Sequence, residues 1–130
     1  MSKWETPLIK KYWEQIGGTL IEEFPVVRGY KNSSKRALDA IIIPEGENAV
    51  MKWHEVDIKG KEIIVVQAKA MRLGMYLMGQ ALFSKQLLEK FYDPKKVISV
   101  ALCTKDDAVL RSLLEQYPDV KVVIVEKGVR

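Results

Sequence analysis

The sequence predicts an α/β protein built around one mixed sheet, and three features of the chain carry that prediction. Two late apolar runs, Val97 to Cys103 and Val120 to Val125, each follow a helical stretch and lack alternation, as parallel strands covered on both faces do. Ahead of them, β-rich runs joined by turns predict two or three antiparallel strands. Between the two groups lies a strong helical periodicity from Met71 to Tyr92. The predicted order is α-β-β-β-α-β-α-β, in a single domain over residues 1–130.

Thr6-Pro7 predicts an N-cap followed by proline at the first helical position, and Leu8, Ile9, Tyr12, Trp13 and Ile16 recur at helical spacing until Gly17-Gly18 stops the helix. Thr19 to Val27 is rich in β-formers, but Glu22-Glu23 and Pro25 suit it to an edge or a bulge. A loop from Arg28 to Arg36 delivers the chain to a buried strand, Ala37 to Ile43, closed by Pro44. Val50 to Ile58 alternates, which predicts a strand turning at Lys59-Gly60-Lys61 into a hairpin with the run that starts at Glu62. The helix from Met71 to Tyr92 carries apolar side chains at Leu73, Leu77, Ala81, Leu88 and Phe91, and Gly74 and Gly79 suggest close packing on the sheet. Met71, Met75 and Met78 are read as core filler. Asp93-Pro94 breaks the chain, Asp106-Asp107 open a helix running to Tyr117, and Glu126 to Arg130 are expected to form a short tail.

A composition of 48% hydrophobic and 29% charged residues is ordinary for a soluble globular protein. No apolar run approaches the ~20 residues of a membrane span. The opening Met-Ser-Lys-Trp-Glu-Thr-Pro is polar, which argues against a secretory signal, and the single cysteine, Cys103, excludes an intrachain disulfide or a multi-cysteine zinc site. An intracellular, cytoplasmic protein is expected. The single histidine, His54, argues against histidine metal clusters, and nothing in its local sequence pairs with it, so it is read as an exposed or edge-strand residue. The formal charge of +4 is mild and compatible with an anionic partner.

Chemistry gathers at two strand ends. In Glu62 to Lys69 the apolar run ends with Gln67 and Lys69 on one face and Ala68 on the other. An amide and an ammonium there are costly to bury unless something pairs with them. In Arg36 to Pro44 one carboxylate, Asp39, stands at the polar end in phase with Ile41 and Ile43. Glu14, near the end of the first helix, is either a solvated carboxylate or a site residue. Arg28, Lys31, Lys35 and Arg36 form either a solvated turn or a loop that contacts phosphates. Tyr76, Gln80 and Ser84 are spaced four apart on one helical stripe. No glycine-rich dinucleotide or P-loop motif is present.

Asp39 and Gln67-Ala68-Lys69, placed after a helix bearing Glu14 and before one bearing Gln80, resemble the PD-(D/E)xK phosphodiesterase superfamily. That is the restriction-endonuclease-like fold shared with archaeal Holliday-junction resolvases and many repair nucleases. The resemblance covers nearly the whole chain through element order, with a motif of only three or four residues. It implies a three-layer α/β/α domain and a nuclease that hydrolyses DNA phosphodiesters with Mg²⁺ or Mn²⁺. Carried over, Asp39 is the anionic metal ligand, the Ala68 carbonyl a further ligand, Gln67 an amide ligand in the place of the signature acid, and Lys69 the group that orients the attacking water. Glu14 is the best match for the carboxylate that relatives supply from the first helix. Gln80 matches a glutamine of exonuclease-type relatives, although Ser84 stands where those carry tyrosine. DNA contacts are expected from Lys31, Lys35, Arg36 and Gln80, and a homodimer suits a domain of this size.

Gln67 is the departure from the pattern. An amide oxygen can ligate Mg²⁺ but brings no charge, and losing one close charge costs ~1 to 4 kcal/mol, about 10- to 1000-fold in metal affinity. Three readings stay open: an active endo- or exodeoxyribonuclease, a degenerate relative that binds nucleic acid or serves as an assembly module, and an α/β protein in which Asp39 and Lys69 form only a structural ion pair.

Overall fold

A computed structural model describes residues 4–29 and 31–126, so four of the five residues of the expected C-terminal tail lie outside it. Helix α1 (Glu5–Ile16) is followed by β1 (Thr19–Val27), β2 (Arg36–Ile43), a short β3 (Ala49–Met51), β4 (Glu62–Arg72), α2 (Met75–Phe91), β5 (Lys96–Lys105), α3 (Ala108–Leu114) and β6 (Val120–Ile124). The strands form one sheet in the order β3-β1-β2-β4-β5-β6. β1, β2 and β4 are antiparallel neighbours, whereas β4, β5 and β6 run parallel, as the unbroken apolar runs predict. Among the described residues no helix is long and apolar enough to cross a membrane.

Helices cover both faces of the sheet. Leu8, Ile9 and Tyr12 of α1 pack on the face that carries Leu20, Ile42, Val66, Ala68 and Leu102. On the other face Leu88 of α2 meets Ile41 and Val65, and Leu77 and Ala81 of α2 and Leu114 of α3 meet Ala101 and Val122. β4 and β5 therefore bury side chains on both sides.

Four boundaries differ from the sequence expectation. Helix α1 begins at Glu5, two residues before the proline. Pro7 is tolerated there because the amides of a first turn have no helical partner to lose. Residues Val50 to Ile58 are not a strand paired with β4: only Ala49–Met51 is extended, it runs parallel to β1, and Trp53–Glu55 turns as a 3-10 helix. The turn before it is tied to β1 by the Thr19 hydroxyl, which donates to the Glu47 carbonyl at 2.6 Å and so delivers the segment to the open β1 edge. β4 continues through Arg72, so α2 starts only at Met75, and α3 ends at Leu114. Gly79 has no close packing to serve, since a Cβ placed there would meet nothing within 4 Å. Gly18 does: with φ +85°, its Cβ would fall 2.3 Å from the Ile43 carbonyl oxygen.

The sheet is irregular at one level. Glu23 adopts φ 53° and is skipped in the β1/β2 register between Glu22↔Ala40 and Phe24↔Leu38. Opposite it, alternation breaks in β2, because Leu38 packs with Ile41 and Ile43 while Ala40 packs on the other face. The residue at the break is Asp39.

Candidate active site

β2 and β4 are paired as far as Ala40↔Val66 and then part. Beyond that pair, side chains replace the backbone ladder. The Asp39 N–H donates to Gln67 Oε1 at 3.0 Å, and the Ala68 N–H donates to Asp39 Oδ2 at 2.9 Å. Two residues further on, the Ala70 N–H donates to Glu5 Oε2 at 3.2 Å. Two carboxylates thus cap two successive amides on the same edge of β4, about 6.7 Å apart along the strand. Since the N–H and C=O of one strand residue point to the same edge, the Ala68 carbonyl opens onto it as well.

Burial and charge both act on this edge. Asp39 is half-buried, and burial pushes its carboxyl above the ordinary aspartate range. The Ala68 N–H opposes that shift, the Glu5 charge adds to it, and the Lys69 ammonium opposes it again. Lys69 is therefore within electrostatic reach of Asp39, although the two belong to different strands. Its side chain lies on the α2 face, where the Nζ sits 5.4 Å from the centroid of the Tyr76 ring. A partly desolvated carboxylate with a second one nearby is a position that a cation relieves.

Gln67 plays a different part from the ligand expected of it. It is 5% exposed and joins three elements: its oxygen accepts from Asp39 of β2, and its Nε2 donates to Ser84 Oγ of α2 at 2.8 Å. Ser84 in turn donates to the Gln80 carbonyl in a short hydrogen bond. This chain of donors fixes which end of the amide is which, because a flipped Gln67 would set donor against donor at Asp39 and acceptor against acceptor at Ser84, whose hydroxyl proton goes to the Gln80 carbonyl. The amide is a cross-link, and buried Ser84 accepts its second end.

The first-helix carboxylate that reaches this edge is Glu5 and not Glu14. Glu14 is exposed and lies nine residues after Glu5, about 13.5 Å along the helix and half a turn around it. Glu5 reaches β4 only because α1 begins early enough to include it. The available signal was an acidic residue just ahead of a Thr-Pro helix start, a position favoured by the helix dipole.

Lys31, Lys35 and Arg36 are all exposed. Lys35, Arg36 and Gln80 line a groove of about 650 Å³ between the start of β2 and α2, together with Gln67, Tyr76 and Ser84, so the stripe Tyr76, Gln80, Ser84 does face the site. Arg28 turns away, its guanidinium 5.0 Å from the Trp53 ring, and His54 is exposed with its ring edge-on to Trp53.

Among the described residues no three His, Cys, Asp or Glu side chains gather into a cage. The oxygens set along this edge of β4 are two carboxylates and one carbonyl. Mg²⁺ keeps several waters and needs only one or two protein carboxylates, so this oxygen set suits it in kind. No protein-family model, curated protein or solved structure matches the chain.

Proposed function

We propose that the protein is a divalent-metal-dependent nuclease that hydrolyses phosphodiester bonds in DNA. The observation that carries this reading is the edge of β4, where Asp39 and Glu5 cap the amides of Ala68 and Ala70 on either side of Lys69. Asp39, Glu5 and the Ala68 carbonyl would hold Mg²⁺ or Mn²⁺. Bound there, such an ion lowers the pKa of a water and neutralises charge on phosphoryl oxygens. Gln67 positions Asp39 by fixing its backbone amide, and α2 holds Gln67 through Ser84. Lys69 supplies a fixed positive charge beside the carboxylates, where the pentacoordinate phosphorus is most anionic.

A second reading, nucleic-acid binding without cleavage, is favoured by the neutral, fold-committed amide of Gln67. Both are tested by cleavage of plasmid and oligonucleotide DNA with Mg²⁺ or Mn²⁺, alongside calorimetric titration with Mn²⁺. The nuclease reading expects Asp39→Asn, Glu5→Gln and Lys69→Ala each to lower cleavage at least about 100-fold, with Glu14→Gln behaving as the parent. DNA binding with no cleavage and no Mn²⁺ uptake by the parent would favour the second reading and end the first.

A further inference from the structure

We propose that the groove between the start of β2 and helix α2 binds an unpaired stretch of nucleic acid, with bases on Tyr76 and Phe83 and phosphates against Lys35 and Arg36. The inference rests on the nucleic-acid reading above and names the substrate form as single-stranded.

Four observations converge on it. Tyr76 is 73% exposed and Phe83 59% exposed, so neither ring is used by the core. They lie seven residues apart on α2, hence on one side of the helix, with Gly79 between them at three and four residues' spacing. Glycine inside a helix is destabilising relative to alanine, and here no packing requires it, because the space a Cβ would occupy is empty. What the missing side chain does is leave the groove open between two aromatic rings.

Charge is the third observation. Among the described residues no carboxylate lines this groove, and its β2 rim carries Lys35 and Arg36, neither in an ion pair with a described residue. The cavity at the opposite end of β4, about 490 Å³, has five carboxylates on its wall, from Glu45, Glu47, Glu55, Asp57 and Glu62, against two lysines, Lys61 and Lys95. A polyanion is therefore drawn to one end of the sheet and repelled from the other. The fourth observation is continuity: Gln67 lines the groove and also bonds the Asp39 amide, so a strand lying in the groove runs toward the carboxylate edge.

Aromatic faces interleaved with cations suit bases that are not already stacked in a duplex, because each exposed base offers a face to a ring while its phosphate meets a lysine or arginine. A second copy of this chain fits less well. A two-fold interface would place the same patch on both partners, bringing Lys35 and Arg36 into a contact that offers them no carboxylate.

The test is fluorescence anisotropy of the full chain in EDTA, with labelled oligo-dT, oligo-U and a DNA duplex of equal length. The parent is expected to bind single strands more tightly than duplex, and the stronger of the two single strands identifies DNA or RNA as the source. Tyr76→Ala and Phe83→Ala should each weaken single-strand binding about ten- to a hundredfold. Gly79→Leu should do the same with no fall in melting temperature, which separates a filled groove from a damaged fold. Unchanged binding in all three variants, no single-strand binding by the parent, or a parent dimer that Gly79→Leu splits in sedimentation would each overturn the inference. Single-strand binding without any metal-dependent cleavage would remove the nuclease reading and leave this one standing. Duplex cleavage untouched by Tyr76→Ala would do the reverse.

Discussion

Replacing Gln67 by glutamate changes the charge at the strand edge while keeping its geometry. Glutamate has the same length, so one oxygen can accept the Asp39 N–H and the other can accept from Ser84, whose hydroxyl then turns away from the Gln80 carbonyl. The site is only 5% exposed. A second carboxylate facing Asp39 at about 5 Å costs roughly 3 kcal/mol at an effective dielectric of about 20. For 130 residues, with unfolding entropy of about 2.1 cal/mol/K per residue, that corresponds to a loss of about 11 °C in Tm. Burial and Asp39 both raise the new carboxyl above its unfolded pKa of about 4.3. The folded state then holds its proton longer, so the deficit relative to the parent is absent in acid, grows as pH rises above about 4, and is complete once pH exceeds the folded pKa. A divalent ion at the edge reverses the sign of the effect by pairing with the added charge. Thermal melts of parent and variant in acid and in mild alkali, each in EDTA and in Mn²⁺, measure all of this. Equal Tm in alkaline EDTA, or Mn²⁺ rescue no larger than in the parent, would refute the charge balance argued for this site.

Asp39→Asn keeps an acceptor for the Ala68 N–H and removes a carboxylate that burial holds above its ordinary pKa, so in EDTA it should melt a few degrees above the parent at neutral pH, the gain vanishing below about pH 4. A calorimetric pH series reads the gain, and the same variant should take up no Mn²⁺. Ser84→Ala leaves the buried Gln67 Nε2 without an acceptor and should cost about 1–3 kcal/mol in urea unfolding. Gly18→Ala meets the Ile43 carbonyl and should cost more than about 2 kcal/mol. Gly17→Ala has open space around it but sits at φ +79°, ψ −166°, a region left almost entirely to glycine, so it should lose about 1–3 kcal/mol from backbone strain alone, and a Gly18→Ala loss no larger than that would show that the contact is relieved elsewhere.

Most of the fold was legible because it follows from local periodicity. The unbroken apolar runs of β5 and β6 and the placement of Gln67 and Lys69 on one face of β4 depend only on the two-residue repeat of a strand. Val50 to Ile58 misled because its alternation has the strand period while its pairing partner is β1, chosen by the distant Thr19 to Glu47 hydrogen bond. Gly79 misled in the other direction. A helical glycine commonly marks close packing, and only the neighbours in space show that nothing lies against it.

By itself the sequence determined that Gln67 and Lys69 share one face of β4 and that Tyr76, Gln80 and Ser84 share one stripe of α2, since side-chain direction along a regular strand or helix is set within a few residues. Tertiary structure alone decided that Glu5, and not Glu14, reaches the edge of β4, and that Gln67 ties β2 to α2. Both depend on where β2 and β4 part at Asp39, and that parting is a balance of hydrogen bonds among segments far apart in the chain.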